Sequence, residues 1–137
     1  MEKEKSCGAV IYRIRDDQIE FLLIKQKNGK HYGFPKGHQE YLESDVETAI
    51  REVREEVGLH IDINDQIHES THFHPREGVN KEVIYFLGTT KTESIQIQTE
   101  EIEDASWLNA GDILRMLTFD NDRKMFLSLI KRGNLYG

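Results

Sequence analysis

The strongest structural constraint in this sequence is the stretch from Ser44 to Gly58, which carries signals for both ends of one helix. Ser44, with Glu47 three residues later, forms a capping box in which each side chain accepts a hydrogen bond from the other residue's backbone amide. Apolar residues then recur at helical spacing, and a glycine follows the last of them, as is typical of a helix C-terminus. The pattern predicts a helix over residues 45–57 with one apolar face, formed by Val46, Ile50, Val53 and Val57.

The rest of the chain mixes strand and helix patterns without regular alternation. Residues 7–14 and 19–26 are rich in β-branched and aromatic types, and they flank Asp16-Asp17, so we expect a hairpin. Residues 27–37 hold several glycines and a proline, which predicts a loop. Further strands are expected over 59–73, 82–89, 95–98 and 105–108, and helices over 110–117 and 122–132, the second ended by Gly133. These elements predict an α+β fold.

Length and composition indicate one domain in a reducing compartment. The chain has 137 residues, enough for a single domain over residues 1–137, and its longest aliphatic or aromatic run is Phe21-Leu22-Leu23-Ile24. That run is far shorter than the roughly 18 residues of a membrane span. The single cysteine, Cys7, has no partner for an internal disulfide. We therefore expect a cytoplasmic protein that does not bind membranes.

The distribution of charge bears on the kind of ligand. A net charge of −7 argues against a general electrostatic grip on long nucleic acid, so no stable nucleic-acid complex is expected. From Phe21 to Gln39, however, there is no acidic residue, whereas lysines stand at positions 25, 27, 30 and 36. This basic stretch indicates either a landing site for a phosphorylated ligand or simply a solvated loop.

A second face of the predicted helix is acidic. Glu52, Glu55 and Glu56 cluster away from the apolar face, and like charges at i,i+4 spacing destabilise a helix by about 0.2 to 0.5 kcal/mol per pair. Such a face is often only solvated. A divalent cation such as Mg²⁺ would also remove the repulsion, because hard cations prefer oxygen ligands. The three glutamates alone leave both interpretations open.

The complete spacing decides between them. Gly37 is followed after five residues by Glu43 and, after seven more, by the run Arg51-Glu52-Val53-Arg54-Glu55-Glu56-Val57-Gly58-Leu59. This pattern resembles the complete Nudix box, and chance would produce it at one start point with a probability of about one in 10⁹. The resemblance implies the Nudix α/β/α sandwich with a mixed sheet and dependence on Mg²⁺ or Mn²⁺. It also implies hydrolysis of a nucleoside diphosphate linked to another moiety.

The resemblance also assigns roles within the box. It makes Glu52, Glu55 and Glu56 the metal ligands, with the carbonyl of Gly37 as a further ligand. It makes Arg51 and Glu43 a structural pair, in which the guanidinium orients carboxylates by bidentate hydrogen bonds, and Gly58 the fixed glycine of the motif.

The reaction implied is attack of water on a phosphorus, with a glutamate as general base and the metal neutralising developing charge. The identity of the base is open. It is either a glutamate of the box or one that precedes a later strand, where the candidates are Glu100 and Glu101. The spacing before Trp107-Leu108 favours Glu101.

Beyond the box, most of the chain resembles one Nudix branch, the asymmetrical bis(5'-nucleosyl)-tetraphosphatases, which split diadenosine tetraphosphate into ATP and AMP. The likeness lies in residues 7–11 and 20–24, in Phe34-Pro35-Lys36-Gly37-His38 and in residues 81–86. Carried over, it makes Lys36, His38 and Lys81 substrate contacts, and Tyr85 and Tyr136 the rings that sandwich an adenine. The chain departs from the branch at Phe34 and at Tyr41-Leu42, where prolines and a glycine are common.

Three alternatives remain. An RNA 5'-pyrophosphohydrolase uses the same box, although its RNA channel needs more basic surface than this chain offers. A sugar-nucleotide or nucleoside triphosphate pyrophosphatase is a second enzyme candidate. A non-catalytic Nudix module that binds a nucleotide usually lacks one of the box glutamates, and here none is missing. The expected partner is therefore a small nucleotide substrate.

Overall fold

A seven-stranded mixed sheet forms the centre of the computed structural model, which describes residues 2–91 and 94–135. The strands are β1 (Glu2–Arg15), β2 (Gln18–Gln26), β3 (Tyr32–Gly33), β4 (Lys36–His38), β5 (Ile61–Phe73), β6 (Val79–Thr90) and β7 (Ile102–Leu108). The main path of the sheet is β3-β2-β1-β6-β5, while β4 pairs with β1 and β7 with β2. Strands β1 and β6 run parallel, and the other described pairs are antiparallel.

Helices cover both faces of this sheet. They are α1 (Asp45–Val57), α2 (Ala110–Met116) and α3 (Asp120–Arg132). On one face, Val53 and Val57 of α1 pack against Ala9, Ile11, Leu22 and Ile24 of the sheet. On the other face, α2 and α3 pack against a separate core that includes Val10, Phe21, Leu23, Val83 and Leu87. The predicted α+β class and the α/β/α sandwich are confirmed.

The hairpin and the first helix form as their sequences predict. Asp16 and Asp17 adopt φ values of 52° and 62°, which short polar side chains tolerate in a two-residue turn between β1 and β2. At the start of α1, both hydrogen bonds of the capping box are present, at 3.1 Å from the Glu47 amide and 2.9 Å from the Ser44 amide. Gly58 ends the helix at φ 74°, a left-handed conformation that a side chain would strain.

Two segments differ from the sequence prediction. The expected loop over residues 27–37 contains β3 and most of β4, and β4 lies close against β1, so that a Cβ on Gly8 would overlap the carbonyl oxygen of Pro35. Residues 95–98 alternate as a strand does but pair with a helix end instead. The amides of Gln96 and Gln98 donate to the carbonyls of Val57 and Glu56, at 2.8 and 2.9 Å. Carbonyls in the last turn of a helix have no partner within it, so an extended segment can satisfy them.

The last helix ends at Arg132 as expected, but it begins two residues earlier than predicted, at Asp120. Gly133 caps α3, but with φ −81°, and it is Asn134 that takes the left-handed conformation at φ 56°. A Cβ on Gly133 would approach the side chain of Leu87 to 2.6 Å, so close packing explains the glycine better than its backbone freedom does. Over the described ranges, none of the helices has the length and apolar character to cross a membrane.

Candidate active site

A pocket of about 350 Å³ opens between α1, β4 and the adjacent parts of β1 and β6. Helix α1 contributes Glu52 and Glu56 to its wall, and β4 contributes Lys36, Gly37 and His38. Lys81 comes from β6, and Glu101 from the turn before β7. Most of the residues that the sequence singles out therefore meet in one pocket, although they come from four separate stretches of the chain.

Arg51 ties the loop before α1 to the helix itself. Its Nε and Nη2 donate to the two carboxylate oxygens of Glu43, at 2.6 and 3.0 Å, and Nη2 also donates to the His38 carbonyl at 2.9 Å. Its Nη1 donates to Glu52 at 2.8 Å and to Glu55 at 3.2 Å. The Arg51 hydrogen bonds, helped by the Glu40 amide, hold the pKa of Glu43 at about 2, well below its ordinary value. The pair predicted from the sequence is present in the structure.

The loop keeps a tight turn without the glycine that is common there in the branch. Leu42 adopts φ 69°, a left-handed conformation that costs a non-glycine residue about 1 to 2 kcal/mol. Its side chain and that of Tyr41 are 85% and 93% exposed, so packing does not offset this cost. The hydrogen bond from the Glu40 amide to Glu43, at 2.9 Å, closes the turn. The backbone path of the loop is therefore held by the Glu43–Arg51 pair.

Glu56 is the most deeply buried carboxylate of the pocket, with 3% of its surface exposed. One oxygen accepts a hydrogen bond from the backbone amide of Lys36 at 2.9 Å. The pKa of Glu56 is raised to about 8, mainly by burial and also by the negative charges of Glu52 and Glu101, against the effect of that hydrogen bond and of the Lys36 charge. A buried carboxyl with two acidic neighbours is a group that a bound cation would stabilise in its charged form.

Glu52 lies directly against Gly37. A Cβ at position 37 would overlap the carboxylate of Glu52, so the glycine provides the space that this carboxylate fills. Burial raises the pKa of Glu52, the charges of Glu55 and Glu101 act in the same direction, and Arg51 opposes them. Glycine at position 37 thus has a direct physical reason, which is the close approach of an acidic side chain to the backbone.

The acidic residues supply the oxygen ligands that a hard divalent cation prefers, but among the described residues their carboxylates do not converge on one point. Within the described residues, no three His, Cys, Asp or Glu side chains stand in the arrangement of a metal site. Glu52, Glu56 and Glu101 line one pocket, and the pKa values of the first two are raised by burial and by neighbouring negative charges. Oxygen donors with uncompensated negative charge suit Mg²⁺. The ligand role of Glu55 stays a prediction, because its side chain is 54% exposed and turned to Arg51.

The extended segment after β6 brings Glu101 to the pocket. Gln96 and Gln98 fasten this segment to the end of α1, and the Glu101 amide donates to the Gln98 carbonyl at 3.1 Å. The Glu101 carbonyl accepts from the Lys27 amide at 2.8 Å, which fixes the other side of the turn. Glu101 therefore lines the pocket with Glu52 and Glu56, whereas Glu100 is absent from the lining. Its role as the general base stays a prediction.

Two lysines line the same pocket. The Nζ atoms of Lys36 and Lys81 lie 5.7 and 5.8 Å from the centre of the Phe73 ring. Burial lowers the pKa of both, and the charge of Lys36 lowers that of Lys81 further. Neither ammonium forms an ion pair with another described residue, although charges on Asp122 and Glu56 act on Lys36 from a distance, and the charge on Glu4 acts on Lys81. Two neighbouring cations without an ion-pair partner make the part of the pocket beside Phe73 suitable for an anion.

The two tyrosines expected to hold an adenine do not appear as a ring sandwich. Tyr85 is 1% exposed and belongs to the core on the α2 and α3 side, where its ring meets Phe34 edge-on at 6.0 Å. In this structure Tyr85 offers no free ring face, because β6 directs the side chain into the sandwich core. It does line a separate pocket together with Lys36 and Phe119, and its role at an adenine stays a prediction. Tyr136 lies outside the residues that the structure describes.

A cleft that the sequence analysis missed adjoins the pocket. It has a volume of about 270 Å³, shares Lys36 with the pocket and is flanked by Phe73 and Phe119. These rings are 38% and 49% exposed, so they offer faces that Tyr85 does not. Phe73 ends β5 and Phe119 lies between α2 and α3, some 46 positions apart in sequence. No local pattern marks them, because their pairing depends on how α3 packs against β5.

Comparisons with known proteins agree with the resemblance identified from the sequence. A family model described as NUDIX domain matches residues 5–129. The chain is 31% identical over 126 residues to an asymmetrical bis(5'-nucleosyl)-tetraphosphatase of Mus musculus, covering 84% of this chain and 85% of the mouse protein. The protein of that name from Caenorhabditis elegans is 30% identical over 119 residues, covering 84% and 86%. The crystal structure of a C. elegans Ap4A hydrolase in a binary complex superposes with a TM-score of 0.88 at 25% identity, covering 97% of this chain and 99% of that one.

Proposed function

The chain belongs to the NUDIX domain family and is a Nudix hydrolase, and from this premise we propose that it splits diadenosine tetraphosphate into ATP and AMP with the help of a divalent cation, Mg²⁺ or Mn²⁺. The relatives named as asymmetrical bis(5'-nucleosyl)-tetraphosphatases support this substrate, since the similarity to them runs over most of both chains. The family as a whole supports the metal requirement. A resident cation would be held by Glu52 and Glu56, with Glu55, Glu101 and the Gly37 carbonyl as the further candidates.

The observation that carries the proposal is the polarity of the pocket. The same pocket is lined by carboxylates, of which Glu56 is buried, and by two lysines whose ammonium groups form no ion pair with another described residue. A polyphosphate chain needs both kinds of group. Carboxylates hold the cation that acts at the reacting phosphorus, and fixed positive charges bind the remaining phosphates. A pocket of one sign would suit only half of such a ligand.

The chemistry follows from the positions of the side chains. When bound, the divalent cation supplies positive charge at the oxygens where negative charge develops and lowers the pKa of a coordinated water. Arg51 fixes Glu52 through a 2.8 Å hydrogen bond, and the Lys36 amide fixes Glu56 at 2.9 Å, so both carboxylates are oriented before substrate arrives. Glu101, on the turn opposite α1, is the candidate to accept the proton of the attacking water.

The adjoining cleft provides a place for an adenine. Phe73 and Phe119 expose apolar ring surface, and Lys36 and Lys81 lie over the Phe73 ring on the side of the pocket. A base that stacks on these rings leaves its phosphates directed past the lysines towards the carboxylates. A long polyphosphate can reach both the cleft and the carboxylates at once, whereas a triphosphate offers a shorter chain for the same path. This arrangement favours a dinucleoside tetraphosphate over ATP.

The test is a comparison of kcat/KM for diadenosine tetraphosphate and ATP in wild type and in Phe73→Ala and Phe119→Ala. Loss of a stacking ring should lower kcat/KM for diadenosine tetraphosphate by about ten- to a hundredfold, since base stacking contributes about 1 to 3 kcal/mol. Leu127→Ala is the matched control, because Leu127 is a 47% exposed hydrophobic residue of α3 that does not line the cleft. It should leave kcat/KM unchanged.

Preference of the wild type for ATP or for triphosphorylated RNA would contradict the proposed substrate while leaving the Nudix hydrolase assignment in place. Equal losses in Leu127→Ala and Phe73→Ala would show that the effect comes from general changes to the surface and not from stacking.

A further inference from the structure

Ser6 is buried in the catalytic pocket with a hydroxyl group that has no partner. Its exposed surface is 0%, and its Oγ forms no hydrogen bond with any residue that the structure describes. It nevertheless belongs to the lining of the pocket that holds Glu52, Glu56 and Lys81. The hydroxyl is therefore hidden within the protein but adjacent to the space that a ligand would fill.

The register of the sheet explains why Ser6 faces this space. Ser6 pairs with Val83 on β6 and with His38 on β4, while Glu4 pairs with Lys81, and Gly8 with Lys36. Paired residues of neighbouring strands direct their side chains to the same face of a sheet, and alternate residues along a strand share that face. Ser6 thus shares its face with both lysines. Cys7 points to the opposite face, where it packs with Ala49 of α1.

An unpartnered buried hydroxyl is costly in the absence of a ligand. Leaving such a group without a hydrogen bond destabilises the folded protein, and alanine at the same position would avoid this cost. The nearby ammonium groups cannot accept a hydrogen bond from it, because a charged lysine carries only donors. An acceptor with negative charge would suit the Ser6 hydroxyl and both lysines at the same time.

We propose that Ser6 is a further substrate-binding residue, whose hydroxyl donates a hydrogen bond to a phosphate oxygen of the polyphosphate held by Lys36 and Lys81 in the pocket. The identification of the acceptor as a polyphosphate rests on the proposed function. Ser6 thereby completes a cluster of three donors from β1, β4 and β6, of which the sequence analysis identified only the two lysines.

The experiment measures binding and stability separately in Ser6→Ala and Ser6→Cys. Inorganic tripolyphosphate is titrated into each protein by calorimetry in the presence of Mg²⁺, and melting temperatures are recorded without ligand. Both variants should bind tripolyphosphate about ten- to a hundredfold more weakly than wild type, because a hydrogen bond to a charged group is lost. The melting temperature of Ser6→Ala should stay the same or rise, since no partner is lost on folding. In steady-state hydrolysis, KM should increase while kcat changes by less than about threefold.

Ser128→Ala is the matched control. The Ser128 hydroxyl donates to Glu69 at 2.7 Å, away from the pocket, so its removal should lower the melting temperature and leave tripolyphosphate binding unchanged. Ser6→Cys separates hydrogen bonding from volume, because it keeps a side chain of similar size. Tripolyphosphate affinity equal to that of the wild type, in either Ser6→Cys or Ser6→Ala, would overturn the proposal. So would weaker binding that is accompanied in both variants by a lower melting temperature, since binding would then be lost through unfolding. If the wild type hydrolysed no nucleotide, the proposed function would fail, whereas the tripolyphosphate titration would still decide the role of Ser6.

Discussion

Without a metal ion, Glu56 should make the protein less stable as the pH rises. The carboxyl has an ordinary pKa of 4.5 in the unfolded chain and a pKa of about 8 in the folded protein, where burial is the main cause. Between these two values the folded state holds the proton and the unfolded state releases it. Linkage then requires that the free energy of unfolding falls as the pH rises from 4.5 and levels off above about pH 8.

The size of the effect follows from the two pKa values. Each pKa unit corresponds to about 1.36 kcal/mol, so the rise from 4.5 to about 8 sets an upper figure of about 5 kcal/mol. Entry of water and relaxation of the pocket reduce the cost of a buried charge, and we expect about 2 to 3 kcal/mol. Glu56→Gln removes the ionisable group, so this variant should be more stable than wild type by that amount at about pH 9 and lose the difference at about pH 5.

The assay is urea unfolding of wild type and Glu56→Gln at about pH 5 and about pH 9, each with excess chelator and with Mg²⁺. The difference between the two proteins isolates the contribution of Glu56 from that of the other ionisable groups. Mg²⁺ should raise the stability of wild type at the higher pH and have a smaller effect on the variant. Glu55→Gln is the control on the same helix, because its half-exposed side chain has little burial cost to relieve. In kinetics, Glu56→Gln should lower kcat by several hundredfold or more, comparable to the loss of a key electrostatic group.

A free energy of unfolding that changes equally with pH in wild type and Glu56→Gln, in chelator, would refute this reasoning. So would an equal gain at about pH 9 from Glu55→Gln, since burial would then not be the cause.

Three further predictions concern the loop and the helix of the box. Arg51→Ala should lower the free energy of unfolding, measured in urea, by about 2 to 4 kcal/mol and reduce kcat, because Glu43 and Glu52 lose their hydrogen bonds from the guanidinium. Arg51→Lys should restore little of either, since lysine cannot donate the two parallel hydrogen bonds to Glu43. Gly37→Ala should unfold at nearly the wild-type urea concentration but bind Mg²⁺ at least about tenfold more weakly in calorimetry, because the new Cβ displaces the Glu52 carboxylate. A loss of stability with unchanged Mg²⁺ affinity would contradict this prediction. Leu42→Gly should raise the free energy of unfolding by about 0.5 to 1 kcal/mol by relieving the left-handed conformation, and a decrease would show that the exposed leucine has a packing role.

Local signals in the sequence were sufficient for the main elements of the fold. The capping box at Ser44 and the glycine at position 58 mark α1 to the residue, because both ends are set by interactions within a few positions. The Asp16-Asp17 turn is likewise a local feature, since short polar side chains tolerate its left-handed conformations. Residues 95–98 show the limit of such signals. Their alternation is correct for an extended segment, but the partner is a helix end that no local pattern announces.

The candidate site likewise contains residues that local spacing identifies and residues that only the folded structure brings together. Spacing along the chain identified Glu52, Glu56 and Arg51, because one helix carries all three. The burial of Tyr85 could not be predicted, since a strand aromatic looks the same in sequence whether it faces a ligand or a core. Phe73, Phe119 and Ser6 gained significance only when the register of the sheet and the packing of α3 brought them beside the lysines.

The central claim is that this pocket cleaves diadenosine tetraphosphate asymmetrically, and product analysis tests it most directly. Wild-type protein is incubated with diadenosine tetraphosphate and Mg²⁺, and the nucleotides are separated by ion-exchange chromatography at early times. We predict ATP and AMP in equal amounts, with no product when chelator replaces Mg²⁺. Formation of ADP alone, or equal turnover in excess chelator, would contradict the account.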